Sequence, residues 1–217
     1  MLGVGISMLV GRLNLDQVEK RTPIMRVVAG PPGAGKSVAF PVKEAGLDYF
    51  DADARAAELN GGSHIAIPQY IRSIVNQEFE AFIEDHIAKR RSLTFETTLR
   101  SAITFEQAKR ARQAGFNLRM TYVALDSVAL HIERVAVRAD QGGHSAPPSV
   151  IEQIHSASLL NFRRALVEFD SVAVYDNSGG YPELVLTCNR GRLNFLRLPL
   201  PDWIQDAVLA TELEGER

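Results

Sequence analysis

The sequence contains little cysteine and little net charge, and each shortage narrows the range of functions. Cys188 is the single cysteine among 217 residues, so no disulfide can form within the chain, and a reducing compartment such as the cytoplasm is expected. The 24 basic and 26 acidic residues give a formal charge of -2. Without a positive field the chain is not expected to bind nucleic acid or an anionic membrane, which favours a small-molecule substrate.

Hydrophobic runs long enough to span a bilayer are also missing. The N-terminal stretch MLGVGISMLVGRLNL is apolar, but Gly3 and Gly5 interrupt it and no basic residue precedes Arg12. It therefore fits neither a signal peptide nor a membrane anchor. Because Met25 directly precedes the segment RVVAGPPGAGKS, we expect residues 1–24 to be an N-terminal extension.

Apolar β-rich runs alternate with segments of helical periodicity, which is typical of an α/β fold with a mostly parallel sheet. The predicted strands cover 24–29, 47–52, 92–95, 118–125, 171–175, 184–188 and 194–198. The predicted helices cover 37–45, 73–90, 104–114, 149–168 and a segment that begins at Ser127. The length suits one domain, which we expect over 25–198, with a C-terminal tail over 199–217.

A glycine-rich segment lies between the first predicted strand and the first predicted helix. Gly30, four further residues, Gly35, Lys36 and Ser37 satisfy the P-loop pattern, in which glycines let backbone N–H groups approach phosphate oxygens. We expect Lys36 to bridge the β- and γ-phosphates of ATP and the Ser37 hydroxyl to ligate Mg²⁺. The predicted nucleotide-binding residues are Gly30, Pro31, Pro32, Gly33, Ala34, Gly35, Lys36 and Ser37.

Two carboxylates, Asp51 and Asp53, follow in the segment FDADARA, at the end of the second predicted strand. Alternation along a strand would put both side chains on one face, at the edge of the sheet where ligands bind. One of them could accept the proton of a substrate hydroxyl that attacks the γ-phosphate. The alternative is that Asp53 caps a helix beginning at Ala54, and the residue types alone leave both open.

Further polar residues follow later strands and helices. Glu96 and Thr98, in TFETTLR, suit a hydroxyl-rich ligand or Mg²⁺ bound through water, although a solvated turn is the alternative. Arg134 and Arg138 lie four residues apart on one predicted helix face. They could neutralise charge on a transferring phosphoryl group, whereas the alternative for Arg134 is a surface ion pair. His144 lies in the Gly/Pro-rich segment 140–149 and is expected to be a loop residue rather than a base.

Taken in order, the segments AGPPGAGKS, FDADARA, TFETTL, ERVAVRADQGGH and YDNSGG resemble the zeta toxin family, the P-loop kinases of bacterial toxin–antitoxin systems. The resemblance covers about 25–187. It implies a P-loop NTPase-like parallel sheet flanked by helices, as in small-molecule kinases. It also implies transfer of the ATP γ-phosphate to a nucleotide sugar such as UDP-N-acetylglucosamine, at the 3′-hydroxyl, or to a related acceptor, and it leaves an antitoxin protein open as a partner.

The resemblance also implies roles for single residues. Asp53 matches the catalytic base of the family, in the second acidic position of its motif. Glu96 and Thr98 fall where the family contacts the sugar nucleotide, and we expect Asp51 and Asp53 to bind the substrate together with them. Arg134 falls on the arginine that clamps the phosphates.

One segment departs from the family pattern. Family members carry arginines in the helix after the Gly-Gly-His loop, whereas this chain reads VIEQIHSAS, with Glu152 and Gln153 there. A second clamping cation is therefore absent from its usual place: either Arg138, Arg163 or Arg164 replaces it, or turnover is weak. The alternatives to a zeta-toxin-like kinase are a kinase for another small metabolite, such as gluconate or shikimate, and a non-catalytic ATP-binding switch protein.

Overall fold

A computed structural model describes residues 22–141, 143 and 146–215. The predicted N-terminal extension up to position 21 and His144 lie outside the described residues. The strands are β1 (Ile24–Ala29), β2 (Asp48–Phe50), β3 (Leu93–Thr97), β4 (Asn117–Ala124), β5 (Ser171–Asp176), β6 (Glu183–Asn189) and β7 (Arg192–Leu196). The helices are α1 (Lys36–Ala39), α2 (Ala52–Leu59), α3 (Gln69–Lys89), α4 (Ile103–Gln113), α5 (Val128–Asp140), α6 (Pro148–Glu168) and α7 (Asp202–Gly215).

The seven strands form one sheet in the order β2-β3-β1-β4-β5-β6-β7. The first five strands of this order run parallel, and β6 and β7 add an antiparallel hairpin at the far edge. This arrangement confirms the predicted α/β class. Since β1 lies between β3 and β4, the carboxyl ends of all three strands meet where the glycine-rich segment begins.

The main core lies on the central strands and is filled by apolar side chains from the surrounding helices. Phe105 of α4 and Phe162 of α6 are fully buried in one cluster with the apolar residues of β1. Phe79 and Trp203 are partly buried and pack against that cluster. None of the helices in the described part of the chain is long and apolar enough to cross a membrane.

The helix after the glycine-rich segment is shorter than predicted. Instead of covering 37–45, α1 ends at Ala39, because Pro41 has no N–H to donate and its ring disfavours a helical residue before it. The chain then makes a 3₁₀ turn at Val42–Glu44 and reaches Gly46, whose φ of 65° is a left-handed conformation that glycine adopts without strain.

The segment predicted as a C-terminal tail contains helix α7. Ile204, Ala207 and Val208 are buried in the main core, and the indole Nε1 of Trp203 donates a hydrogen bond of 2.8 Å to Asp176 Oδ2. The apolar spacing of three and four residues at 204, 207 and 208 was the sequence signal for this helix.

Candidate active site

The glycine-rich segment turns tightly against two neighbouring elements. The Gly30 N–H donates to the Thr97 carbonyl at 3.2 Å, and a Cβ at Gly30 would lie 1.9 Å from the Val123 carbonyl oxygen. Gly33 has a φ of 77°, and a Cβ there would lie 2.7 Å from the His131 carbonyl oxygen on α5. Side chains at these two positions would collide with backbone, so the loop shape requires glycine at both.

Lys36 is fixed inside this loop. Its side chain is 6 % exposed, and its Nζ donates to the carbonyls of Gly30 at 2.8 Å and Pro31 at 3.0 Å. Burial lowers the pKa of Lys36, and the Glu96 carboxylate, 3.7 Å from the ammonium, opposes that shift. The ammonium is therefore held in one position at the loop, as a group that binds phosphate requires.

Glu96 joins Ser37 to this arrangement. The Ser37 hydroxyl donates a hydrogen bond of 2.9 Å to Glu96 Oε2, while Glu96 Oε1 faces Lys36. Glu96 is part of β3 and therefore not in the solvated turn that was its alternative.

The oxygen atoms of Ser37 and Glu96 suit Mg²⁺ as hard ligands. Within the described residues, no cluster of three or more His, Cys, Asp or Glu side chains is arranged to hold a metal ion. Mg²⁺ would therefore be bound by one carboxylate, one hydroxyl and the phosphates of a nucleotide, the arrangement that is usual for this ion.

The prediction that Asp51 and Asp53 lie at the end of a strand is wrong. Both residues lie at the start of helix α2. The helix begins at Ala52 rather than Ala54, because Asp51 is its N-cap and accepts a hydrogen bond of 2.9 Å from the Ala54 N–H. Asp53 lies in the first turn and does not cap the helix, so its exposed carboxylate is available to a ligand.

The two arginines of α5 differ in how they are held. Arg134 Nη2 donates to the backbone carbonyls of Asn177 at 2.9 Å and Ser178 at 3.2 Å, rather than to a surface carboxylate. Arg138 is exposed, and its charge contributes to lowering the pKa of Lys36. Arg163 and Arg164 form ion pairs with Asp206 and Glu168, so neither is placed as a second clamp.

Two adjacent cavities share one wall. The P-loop cavity, about 380 Å³, lies between the glycine-rich segment and the two arginines of α5. The Tyr49 cavity, about 530 Å³, lies on the other side, against β2, His64 and the start of α2. Four predicted site residues line both cavities: Ser37, Asp53, Glu96 and Thr98. Asp51 lines only the Tyr49 cavity.

A larger depression, about 670 Å³, lies at the opposite edge of the sheet, around Asp170 and Arg190. It contains none of the predicted site residues. The chemistry of the side chains, rather than cavity size, therefore identifies the P-loop and Tyr49 cavities as the candidate active site.

Two buried residues next to the P-loop were not predicted from the sequence as site residues. His131 Nδ1 lies 2.7 Å from the Pro32 carbonyl, and Asn177 Nδ2 donates to the Ala34 carbonyl at 2.9 Å. Asn177 belongs to the YDNSGG segment, which the resemblance singles out, whereas His131 has no signal beyond its place on the face of α5 that carries Arg134 and Arg138.

Three solved structures have folds similar to that of this chain. The PezAT chromosomal toxin–antitoxin system of Streptococcus pneumoniae matches with a TM-score of 0.61 at 17% identity, over 76% of this chain and 72% of that chain. The AvrRxo1-ORF1:-ORF2 structure with ATP matches with a TM-score of 0.62 at 13% identity, over 80% of this chain and 60% of that chain. A putative kinase from Chloroflexus aurantiacus has a TM-score of 0.50 at 20% identity, over 63% and 80% of the two chains.

A comparison with curated proteins finds no match. A family model does match, over residues 66–182, which is more than half of the chain. This range includes Glu96, Thr98, Arg134 and the YDNSGG segment, while the P-loop and Asp53 lie before it. Family and fold together support an ATP-dependent kinase. The chain belongs to the Zeta toxin family.

Proposed function

We propose that this protein transfers the γ-phosphate of ATP to a hydroxyl group of a nucleotide sugar, such as UDP-N-acetylglucosamine. The observation that carries the proposal is the wall shared by the two cavities. A nucleotide in the P-loop cavity and an acceptor in the Tyr49 cavity would meet at Asp53 and Glu96. Family membership supports the same reading.

The residues of the shared wall and those next to it can supply the separate functions that phosphoryl transfer needs: phosphate binding, charge neutralisation and proton acceptance. Lys36 and the loop N–H groups bind the phosphates of ATP, and Arg134 and Arg138 neutralise charge on the transferring group. Asp53 accepts the proton of the acceptor hydroxyl as its oxygen attacks the γ-phosphorus. The bond from the γ-phosphorus to the bridging oxygen breaks, and ADP leaves with that oxygen.

Asp51, Glu96 and Thr98 orient the acceptor from the Tyr49 cavity, since carboxylates and hydroxyls bind sugar hydroxyl groups well. Ser37 and Glu96 would hold Mg²⁺. When bound, Mg²⁺ supplies positive charge to the phosphate oxygens.

An antitoxin protein is a proposed partner. The support is the family and the likeness to PezAT, which is described as a toxin–antitoxin system. Co-expression with the product of a neighbouring small gene tests this, and failure of the two proteins to co-purify would count against it.

The proposed transfer is tested by ADP release from ATP in the presence of single acceptors. Wild-type protein is incubated with UDP-N-acetylglucosamine, N-acetylglucosamine, gluconate or shikimate, and Lys36→Ala gives the background. We expect UDP-N-acetylglucosamine to stimulate release most strongly in the wild type alone. Stimulation by gluconate or shikimate would indicate a different metabolite kinase, and release that no acceptor changes would favour an ATP-binding switch.

A further inference from the structure

The P-loop is held from outside by two buried side chains that the proposed chemistry does not use. His131 is 0 % exposed and Asn177 is 7 % exposed. Through Pro32 and Ala34 they bind the loop carbonyls on either side of Gly33, the residue that packs against α5. The loop is thus fixed at three consecutive residues before Lys36.

The direction of the His131 hydrogen bonds follows from its partners. Nε2 lies 3.2 Å from the backbone nitrogen of Leu125, which can only donate, so Nε2 accepts. Nδ1 therefore carries the hydrogen and donates to the Pro32 carbonyl. Burial is the main cause that lowers the pKa of His131 to about 4; the hydrogen bond to Pro32 opposes this shift, and the charges of His155, Lys36 and Arg134 add to it, so the ring is neutral at physiological pH.

The same helix carries the arginines of the site. His131, Arg134 and Arg138 recur at spacings of three and four on α5 and face the P-loop. Arg134 also donates to the carbonyl of Asn177, whose side chain holds Ala34. Arg134 is therefore connected to the P-loop along two routes, through His131 on its own helix and through Asn177.

We propose that His131 is a positioning residue that fixes the separation between Arg134 and the phosphates bound by the P-loop, through its Nδ1–H hydrogen bond to Pro32. The inference rests on the proposed phosphoryl transfer, in which Arg134 acts on a group that the P-loop holds. The separation between Arg134 and the phosphates should strongly affect the rate of transfer, because a misplacement of a catalytic group by 1 Å costs about 10² in rate.

Two substitutions separate the two hydrogen bonds of His131. His131→Asn puts an amide nitrogen near the position of Nδ1, so it keeps a donor for Pro32 and loses the acceptor for Leu125. His131→Gln puts its amide near the position of Nε2, so it keeps an acceptor for Leu125 and loses the donor. Each variant leaves one buried backbone group unpaired, so their losses of stability should be similar.

The turnover number for γ-phosphate transfer then shows whether Arg134 is correctly positioned relative to the phosphates. We expect His131→Gln to lower kcat by about 10- to 100-fold, and to lie at least about tenfold below His131→Asn. In an Arg134→Ala background, His131→Gln should cost less than about twofold further, since its effect is exerted through Arg134. Equal losses in the two His131 variants, or a full further loss in the Arg134→Ala background, would overturn the proposal.

Nucleotide binding distinguishes failure of this inference from failure of the proposed function. If no acceptor gives transfer, the kinase proposal fails, and the ratio of ATP to ADP affinity from titration calorimetry becomes the test. We expect His131→Gln and Arg134→Ala to lower this ratio and His131→Asn to lower it less. An unchanged ratio in His131→Gln overturns the positioning role, and a wild type that binds neither nucleotide overturns both proposals.

The wild-type protein offers a measurement that does not depend on variants folding. In a long-range ¹⁵N–¹H spectrum, the ring of His131 should show the neutral tautomer with hydrogen on Nδ1. Hydrogen on Nε2 would show that His131 does not donate to Pro32, and the proposal would fall.

Discussion

The Ser37 hydroxyl donates to the carboxylate of Glu96 at 2.9 Å, and this hydrogen bond joins the P-loop to the end of β3. The two residues are 59 positions apart in the sequence, and the parallel pairing of β1 with β3 brings them together. Because both line the P-loop and Tyr49 cavities, the contact lies where the proposed donor and acceptor meet.

Glu96→Gln should raise the Mg²⁺ concentration that gives half-maximal transfer by about 10- to 100-fold, the usual scale for loss of a group that supports a metal site. The amide still accepts a hydrogen bond from Ser37 but has no charge to attract a cation. ADP release measured against Mg²⁺ concentration reports this. Glu106→Gln, an exposed change on α4, is the matched control, and equal Mg²⁺ dependence in the two variants would remove Glu96 from the metal site.

Stability should depend on pH through His131. Its pKa in the folded protein is about 4, below the ordinary value of 6.5, so between these values the unfolded chain binds a proton that the folded chain does not. The contribution of His131 to the free energy of unfolding is therefore fully present above pH 6.5 and is lost as the pH falls toward 4. Between pH 7 and pH 5 the wild type should lose about 2 kcal/mol more than His131→Asn in urea unfolding. Parallel losses in the two proteins would contradict this reading of His131.

Helix α7 should contribute strongly to stability. Ile204 is 0 % exposed in the main core, so Ile204→Ala should lower the free energy of unfolding by about 2–5 kcal/mol. Leu209 lies on the same helix and is 59 % exposed, so Leu209→Ala should cost less than about 1 kcal/mol. Similar costs in thermal or urea unfolding would show that α7 does not pack as described.

The sequence predicted the parts of the site that depend on local chemistry. Gly30 to Ser37 form a P-loop motif by spacing alone, and Asp53 and Glu96, which were expected at the same edge of the sheet, line one cavity, although Asp53 reaches it from helix α2 rather than from a strand. The shortened α1 could have been predicted as well, because Pro41 cannot lie inside a helix.

Other features depend on contacts that no local pattern reveals. Asp51 rather than Asp53 caps α2, because the strand ends at Phe50 and the helix follows at once, and strand ends are poorly fixed by sequence. His131 and Asn177 lie 99 and 143 positions from the P-loop carbonyls that they bind, so only the fold shows their role.

The most direct test of the proposed mechanism is γ-³²P transfer from ATP to UDP-N-acetylglucosamine by Asp53→Asn. Asparagine retains the shape of the side chain and cannot accept the proton of the acceptor hydroxyl. Glu58→Gln, on the same helix and outside both cavities, makes the same chemical change as a control. We predict that Asp53→Asn binds ATP as the wild type does and transfers about 10² to 10⁴ times more slowly, the scale of a positioned general base. Transfer by Asp53→Asn at the rate of Glu58→Gln would contradict the account.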